Sequence, residues 1–305
     1  MRWTLFFLLA MCITAGGLKP GHGKNIVLIA GDDEYHSEQM MPQFAQILEQ
    51  RQGFHCTVLY AKNEKGEIDP HFRGNIPGIH ALQKADLLIL FTRFRDLPDE
   101  QMKYFVDYVE SGKPIFGIRT ATHAFEIPSG KTYARYSWNS KEPGWEGGFG
   151  RRVLGETWIA HHGEHGKQST RGRIAPGQIT NPILRGVADG EIWVTTDVYE
   201  VRLPLPEKCK PLINGEVLTG MKESDPPVRG KLNEPMLPVA WTSDYHNARV
   251  FATTMGAAED FENEALRRLF VNAAIWAVGR EARIPEKSDV RLVGEYHPTS
   301  FLLSY

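Results

Sequence analysis

Apolar positions along the chain fall into two alternating kinds of block. Asn25–Ala30 (NIVLIA), Asp86–Phe91 (DLLILF) and Pro114–Ile118 (PIFGI) are short and continuously apolar, as expected of strands covered on both faces. Phe54–Tyr60 is a further strand of this kind. Between these blocks the spacing changes to that of a helix. Met41, Phe44, Ala45 and Leu48 stand at i, i+3, i+4 and i+7, with Pro42 expected near the first turn and Gly53 past the end. Met102, Phe105, Val106 and Val109 form a second stripe, opened by Asp96 and Pro98 and closed by Gly112. Strands and helices alternating at this spacing predict βαβ units and a parallel sheet with helices on both faces.

The pattern lapses over 126–150, a stretch rich in Gly, Pro, Tyr and Trp that reads as a long aromatic insertion running over the surface. Strand-like runs resume at Thr170–Ile174, Glu191–Val201, Pro211–Val217, Leu237–Thr242 and Arg249–Thr254. A last helix is expected after Asn263, its cap, with Leu266, Leu269, Phe270, Ala273 and Ala277 on one face. Three segments follow: residues 1–17, a domain over 24–280, and a tail over 281–305 laid on that domain. The first reads MRWTLFFLLAMCITAGG: one Arg, nine apolar residues from Leu5 to Ile13, then small residues. That is the pattern of a signal peptide, too short to span a bilayer. The expectation is export to the periplasm or beyond. A lipoprotein anchor at Cys12 is the weaker reading, because bulky Met11 precedes it.

Composition narrows the partners. A net charge of −2 offers no basic excess for nucleic acid or acidic lipid, and no other segment is apolar enough to cross a membrane. A small polar ligand suits this balance. Past the leader only Cys56 and Cys209 remain, one bridge at most and not a disulfide framework. Cys56, inside the apolar run FHCTVLY, reads as a small core residue.

Four stretches could carry chemistry. In GKPIFGIRTATHAFE, residues 112–126, an apolar strand runs into small residues, the setting of a sharp elbow that lifts one side chain clear. That side chain is Arg119, which cannot act as a nucleophile but can clamp a carboxylate or a polarised oxygen. Equally, it can hold the loop by pairing with a nearby carboxylate. His123 follows it. In AGDDEYHSEQ, Asp33, Glu34 and His36 lie past the end of the first strand, where open parallel sheets bind ligands; its acidity disfavours a phosphate. In WIAHHGEHGKQST, His161, His162 and His165 fall within five positions, without the HExxH helical pattern. They can hold a metal (His161 with His165), work as acid and base, or be structural. Glu156 is a further candidate base, and Trp145 and Trp158 offer flat faces to a sugar ring. In the fourth stretch, residues 238–279, two strands precede the final helix and Trp241 and Trp276 read as core.

Several runs make the chain resemble the trehalose-utilisation (ThuA-like) family. PVAWTSDYHNARVFATTMG with EDFENEALRRLFVNAAIWAVG is the most specific, and GIRTATHAF and NPILRGVADGEIWVTTDVYEV add to it. GDDEYHSEQMMPQFAQIL and GGFGRRVLGETWIAHHGEHG are similar to a secreted branch of that family. The resemblance implies the flavodoxin-like fold of class I glutamine amidotransferases and a role in breaking down trehalose or related glycosides. It also implies a sugar dehydrogenase as a pathway partner; a homo-oligomer is allowed. Amidotransferases place a cysteine at the elbow; Arg119 stands there, so glutamine hydrolysis is excluded. Many members carry histidines at the elbow and after the last strand, where this chain has Arg119 and Ala257. His123, His161, His162 and His165 can stand in for those two histidines.

The reading is an exported enzyme of trehalose or keto-glycoside breakdown, using His161, His162, His123, Arg119 and Glu156, with Asp33, Glu34, His36, Trp145 and Trp158 binding substrate. Its alternatives are a non-catalytic sugar-binding or scaffolding protein and a metal-dependent hydrolase holding a divalent ion such as Zn.

Overall fold

The structure, a computed structural model, describes residues 18–303. The leader over 1–17 lies outside the described residues. Nine strands form one sheet: β1 (Asn25–Gly31), β2 (His55–Tyr60), β3 (Leu87–Thr92), β4 (Ile115–Ile118), β5 (Thr170–Ile174), β6 (Trp193–Val194), β7 (Lys210–Val217), β8 (Leu237–Tyr245) and β9 (Ala248–Thr253). Their order is β2-β1-β3-β4-β9-β8-β7-β5-β6. The first five run parallel in the flavodoxin-like order, with β9 in the fifth place. From β9 to β6 every pairing is antiparallel. The parallel half carries the continuous apolar runs because both its faces are covered. The antiparallel half extends the sheet beyond them.

Three α-helices, α1 (Ser37–Gln50), α2 (Asp99–Glu110) and α3 (Glu264–Ala277), cover the parallel half. Side chains on β4 alternate between its faces. Phe116 meets Phe44 of α1 and Phe270 of α3, at 6.1 and 5.2 Å between ring centres. Gly117 points the other way, onto Leu154 and Ala121. Phe105 of α2 packs beside that second face, 5.2 Å from Phe149. The cap on α3 is the expected one: Asn263 Oδ1 accepts the Leu266 N–H at 2.9 Å. Two expectations need adjusting. Helix α1 begins five residues before Pro42, at Ser37, so the proline lies within the helix rather than in its first turn. Of Glu191–Val201, only Trp193 and Val194 pair as a strand. The amides of Thr195 and Thr196 are taken instead by the Asp260 carboxylate, which turns the chain out of the sheet.

Trp241 is fully buried, as read, and Cys56 and Cys209 are both free thiols. The insertion is held tightly under the β4 elbow. A π-helical turn, Gly150–Leu154, follows Phe149, and Gly150 leaves no room for a side chain: a Cβ there would lie 2.0 Å from the Thr122 carbonyl oxygen. Gly150→Ala should therefore lower stability by several kcal/mol, on the order of 3. Urea unfolding of the variant against the parent protein measures the loss.

Candidate functional site

Three non-glycine residues with left-handed backbone stand just past the carboxyl ends of parallel strands. They are His36 (φ 55°) after β1, Phe94 (φ 52°) after β3 and Arg119 (φ 42°) after β4. Each such residue costs of order 1 kcal/mol and persists where the surroundings over-determine it, which is common at functional sites. Among the described residues, the only other non-glycine examples, His246 and Asn247, form the β8–β9 hairpin turn. The strained positions thus ring the crevice between β1 and β3, where the strand order reverses.

Arg119 opens a short 3-10 turn after β4. Its side chain is fully buried, not lifted clear as the elbow pattern suggested. The guanidinium lies between the rings of Tyr35 and Tyr199, 4.1 and 4.2 Å from their centres. Nη2 donates to the Tyr35 hydroxyl at 2.9 Å and to Asp197 Oδ1 at 3.0 Å. Nη1 donates to the carbonyls of Thr254 (2.5 Å) and Asp197 (3.2 Å). The pairing reading of Arg119 describes this geometry, with Asp197 as the carboxylate. Nη1 and Nη2 each make two hydrogen bonds, and Nε is buried without a partner.

Asp197 is the residue that the sequence reading missed. It is fully buried as a side chain and accepts from both flanking imidazoles, His161 Nδ1 at 2.7 Å and His165 Nδ1 at 3.1 Å. Burial pushes its carboxyl up, but the bonds from His161 and His165 and the Arg119 charge outweigh that and hold it well below the usual range. An ionised carboxylate only accepts, so both histidines carry their proton on Nδ1 and present Nε2 outward. The histidine segment is set there by backbone pairing. His161 bridges Tyr199, and the His162 N–H and the Ala160 carbonyl bond to Val198 and Glu200 at 2.8 and 2.9 Å. Gly166 takes φ +71° to bring His165 round. The ring centres of His161 and His165 are 4.6 Å apart. Asp260 fixes the loop beneath, accepting from the amides of Thr195, Thr196, Gly256 and Ala257 and from the Thr195 and Thr196 hydroxyls. A legible signal existed: Thr-Thr-Asp is a polar break inside the apolar run WVTTDVYEV.

The other expected site residues divide. His123 and Trp158 join His161, Glu34, Arg93, Phe94 and Tyr199 around a narrow cavity of about 30 Å³, room for one or two waters. Burial, then the Arg93 and Arg119 charges, drive the His123 imidazole well below its ordinary value, so it is neutral. Glu34 reaches His165 Nε2 (3.6 Å) and Arg93 (3.1 Å). Asp33 is held by Arg93 at 2.9 Å. His36 is buried at the start of α1 beside Glu38. His162 turns away to the Leu232 carbonyl, 3.0 Å from Nε2. Trp145 stacks on Tyr136 and Arg135, away from this cavity. Glu156 is buried under Arg151 and Arg202, which bind it at 2.7 and 2.5 Å, so it has no proton acceptor to spare for the histidines. A roomier hollow of about 430 Å³ lies at the opposite, amino edge of the strands, but Lys24, Lys84 and Lys113 line it and no histidine does.

His161, His165 and Asp197 also offer ligand atoms all within 4.8 Å of one another, the donor types of a divalent metal site. The charges argue against a tight one. Arg119 already balances Asp197, and Arg93 balances Glu34.

Fold and site together define a flavodoxin-like α/β protein with a histidine–carboxylate cluster at the carboxyl edge of its sheet. The chain belongs to the ThuA family, whose model, described as trehalose utilisation, matches residues 26–277. A ThuA-like protein of Parabacteroides merdae is similar in structure, with a TM-score of 0.53, 17% identity and coverage of 90% of this chain and 95% of that one. One from Bacteroides uniformis gives 0.54, 13%, 86% and 94%. At these identities the likeness is one of fold. No curated protein sequence matches the chain.

Asp32 yields a stability prediction. It is fully buried and accepts from Thr120 at 2.7 Å and from the amides of Glu34 and Tyr35. Burial outweighs these bonds and raises its carboxyl to about 6. A raised carboxylate favours folding fully below its unfolded value near 4, and loses that contribution as pH rises through about 6. Asp32→Asn should remove this dependence, so that the variant's melting temperature changes less than the parent's between pH 4 and 7. Thermal melts across that range test it.

Proposed function

We propose that this protein is an exported enzyme of carbohydrate breakdown, acting on trehalose-type glycosides or their 3-keto derivatives through acid–base chemistry at His161. The observation that carries the reading is Asp197, one buried carboxylate orienting two part-exposed imidazoles by their Nδ1 protons. That leaves His161 Nε2 for the cavity, the arrangement in which a carboxylate sets the tautomer of a catalytic imidazole. A keto group makes the neighbouring C–H acidic. His161 Nε2 takes that proton, and the electron pair moves onto the carbonyl oxygen as an enolate. Its return expels the glycosidic oxygen, which recovers the proton from the imidazolium.

Arg119 is fully buried and does not line the cavity, so the electrophile at the enolate falls to Arg93, which lines it while paired with Asp33 and Glu34. Neutral His123 serves as a hydrogen-bond partner there. Trp158 and Phe94 give the sugar apolar walls. The cavity admits the reacting group rather than a whole ring, so the ring rests at its mouth. Export rests on the leader-like segment before residue 18.

The metal-dependent reading is favoured by the spacing of the same three donors. The two separate cleanly. His161→Ala should lower turnover of a 3-keto-glycoside by about 10²–10⁴-fold with an unchanged circular dichroism spectrum. Protein purified without chelator should carry less than one equivalent of metal and keep its activity in EDTA. Full activity in His161→Ala sinks the acid–base scheme, and a stoichiometric ion whose removal abolishes turnover replaces it with the metal one.

A further inference from the structure

The segment after α3 climbs the outside of α1 from one end to the other. Gln52 at the foot of that helix donates to the Asp289 carbonyl at 2.7 Å, and Gln43 donates to the Val293 carbonyl at 3.4 Å. Tyr296 donates to the Ala258 carbonyl at 2.7 Å. At the head of the helix Gln39 bonds twice to Thr299, at 3.1 Å through its amide nitrogen and 2.8 Å through its oxygen. The head of α1 is the carboxyl edge of β1, so the segment arrives beside the histidines. There Glu259 accepts from the Ser300 hydroxyl (2.9 Å) and the Phe301 amide (3.2 Å).

These ties place one ring. Phe301 is 5% exposed and stands 5.2 Å from the His165 ring and 5.3 Å from Tyr35. Tyr35 in turn donates nothing to His165 but touches it edge-on at 6.2 Å and bonds Arg119. A part-exposed imidazole with water on its outer side can turn about its side-chain bonds and exchange tautomers. An aromatic wall on that side removes the freedom and keeps Nδ1 aimed at Asp197.

We propose that residues 296–302 form a wall of the histidine site and that Phe301 is a positioning residue for His165. The ring does not touch the cavity; it acts through the imidazole. The proposal rests on the reading of the Asp197 cluster as the working site, and its test reads geometry rather than turnover.

The test is the ring-nitrogen NMR spectrum of the ¹⁵N-histidine-labelled full chain near neutral pH. In the parent protein His165 should be held as the Nδ1–H tautomer. In Phe301→Ala the Nε2–H tautomer of His165 should rise at least roughly threefold, while His161, bonded to the other oxygen of Asp197, keeps its tautomer. Phe301→Tyr should restore the parent spectrum. An unchanged His165 tautomer in folded Phe301→Ala overturns the proposal, even if the variant melts at a lower temperature. If Phe301→Ala does not fold, Gln39→Ala loosens the same segment at Thr299 and leaves Phe301 in place. It should move His165 in the same direction, and no movement overturns the proposal equally. A fully active His161→Ala would sink the catalytic reading and leave this result untouched.

Discussion

One buried guanidinium sets the geometry of the whole carboxyl edge. Arg119 leaves β4, crosses between Tyr35 from the β1 loop and Tyr199 from the β6 loop, and reaches both Asp197 and the carbonyl of Thr254 past β9. Four loops distant in the chain are fixed by one side chain. Such a pair is not free stability. Desolvating two charges costs several kcal/mol each, and their attraction and hydrogen bonds do little more than offset it. What the pair confers is position: with either partner alone, a bare charge would be left in the interior. The left-handed backbone at Arg119 is explained by the same contacts, since they hold the residue where the following turn must start.

Two buried aspartates a few loops apart are driven in opposite directions. Asp197 has a guanidinium and two imidazole N–H groups against it and stays charged; Asp32 has a hydroxyl and two backbone amides and is raised to about 6. Neutral donors stabilise a carboxylate less than a neighbouring cation does. Asp32 therefore serves the β1 loop as a structural acceptor, while Asp197 can orient imidazoles across the neutral pH range. Asp260 performs a third task, gathering the amides that a longer β6 would have used. The price of that gathering is two ladder positions in β6, and its product is the bend that carries Asp197 toward Arg119.

The aromatic insertion also has a structural logic. Its last residue, Gly150, packs against the Thr122 carbonyl at the β4 elbow, and Glu156, just beyond it, is buried and neutralised by Arg151 and Arg202. Both features tie the insertion to the sheet rather than leave it as a loose cover. Trp158, a little past its end, reaches the cavity.

What the sequence determined by itself is local. Continuous apolar runs fixed the parallel strands, a 3.6-residue stripe and Asn263 fixed the last helix, and three histidines in five positions marked the segment whose His161 and His165 meet Asp197. Backbone pairing with Val198, Tyr199 and Glu200 then set the histidines at the edge where β1 and β4 end. The tertiary structure alone decided who pairs with whom. Arg119 and Asp197 are 78 residues apart, and His165 and Phe301 are farther still. No periodicity encodes such contacts. Glu156 and Arg119 looked equally available as charged residues in a chemistry-rich stretch, and only burial showed each already engaged. A side chain's partners depend on which loops the sheet brings together, and that is a property of the folded chain, not of its neighbours in sequence.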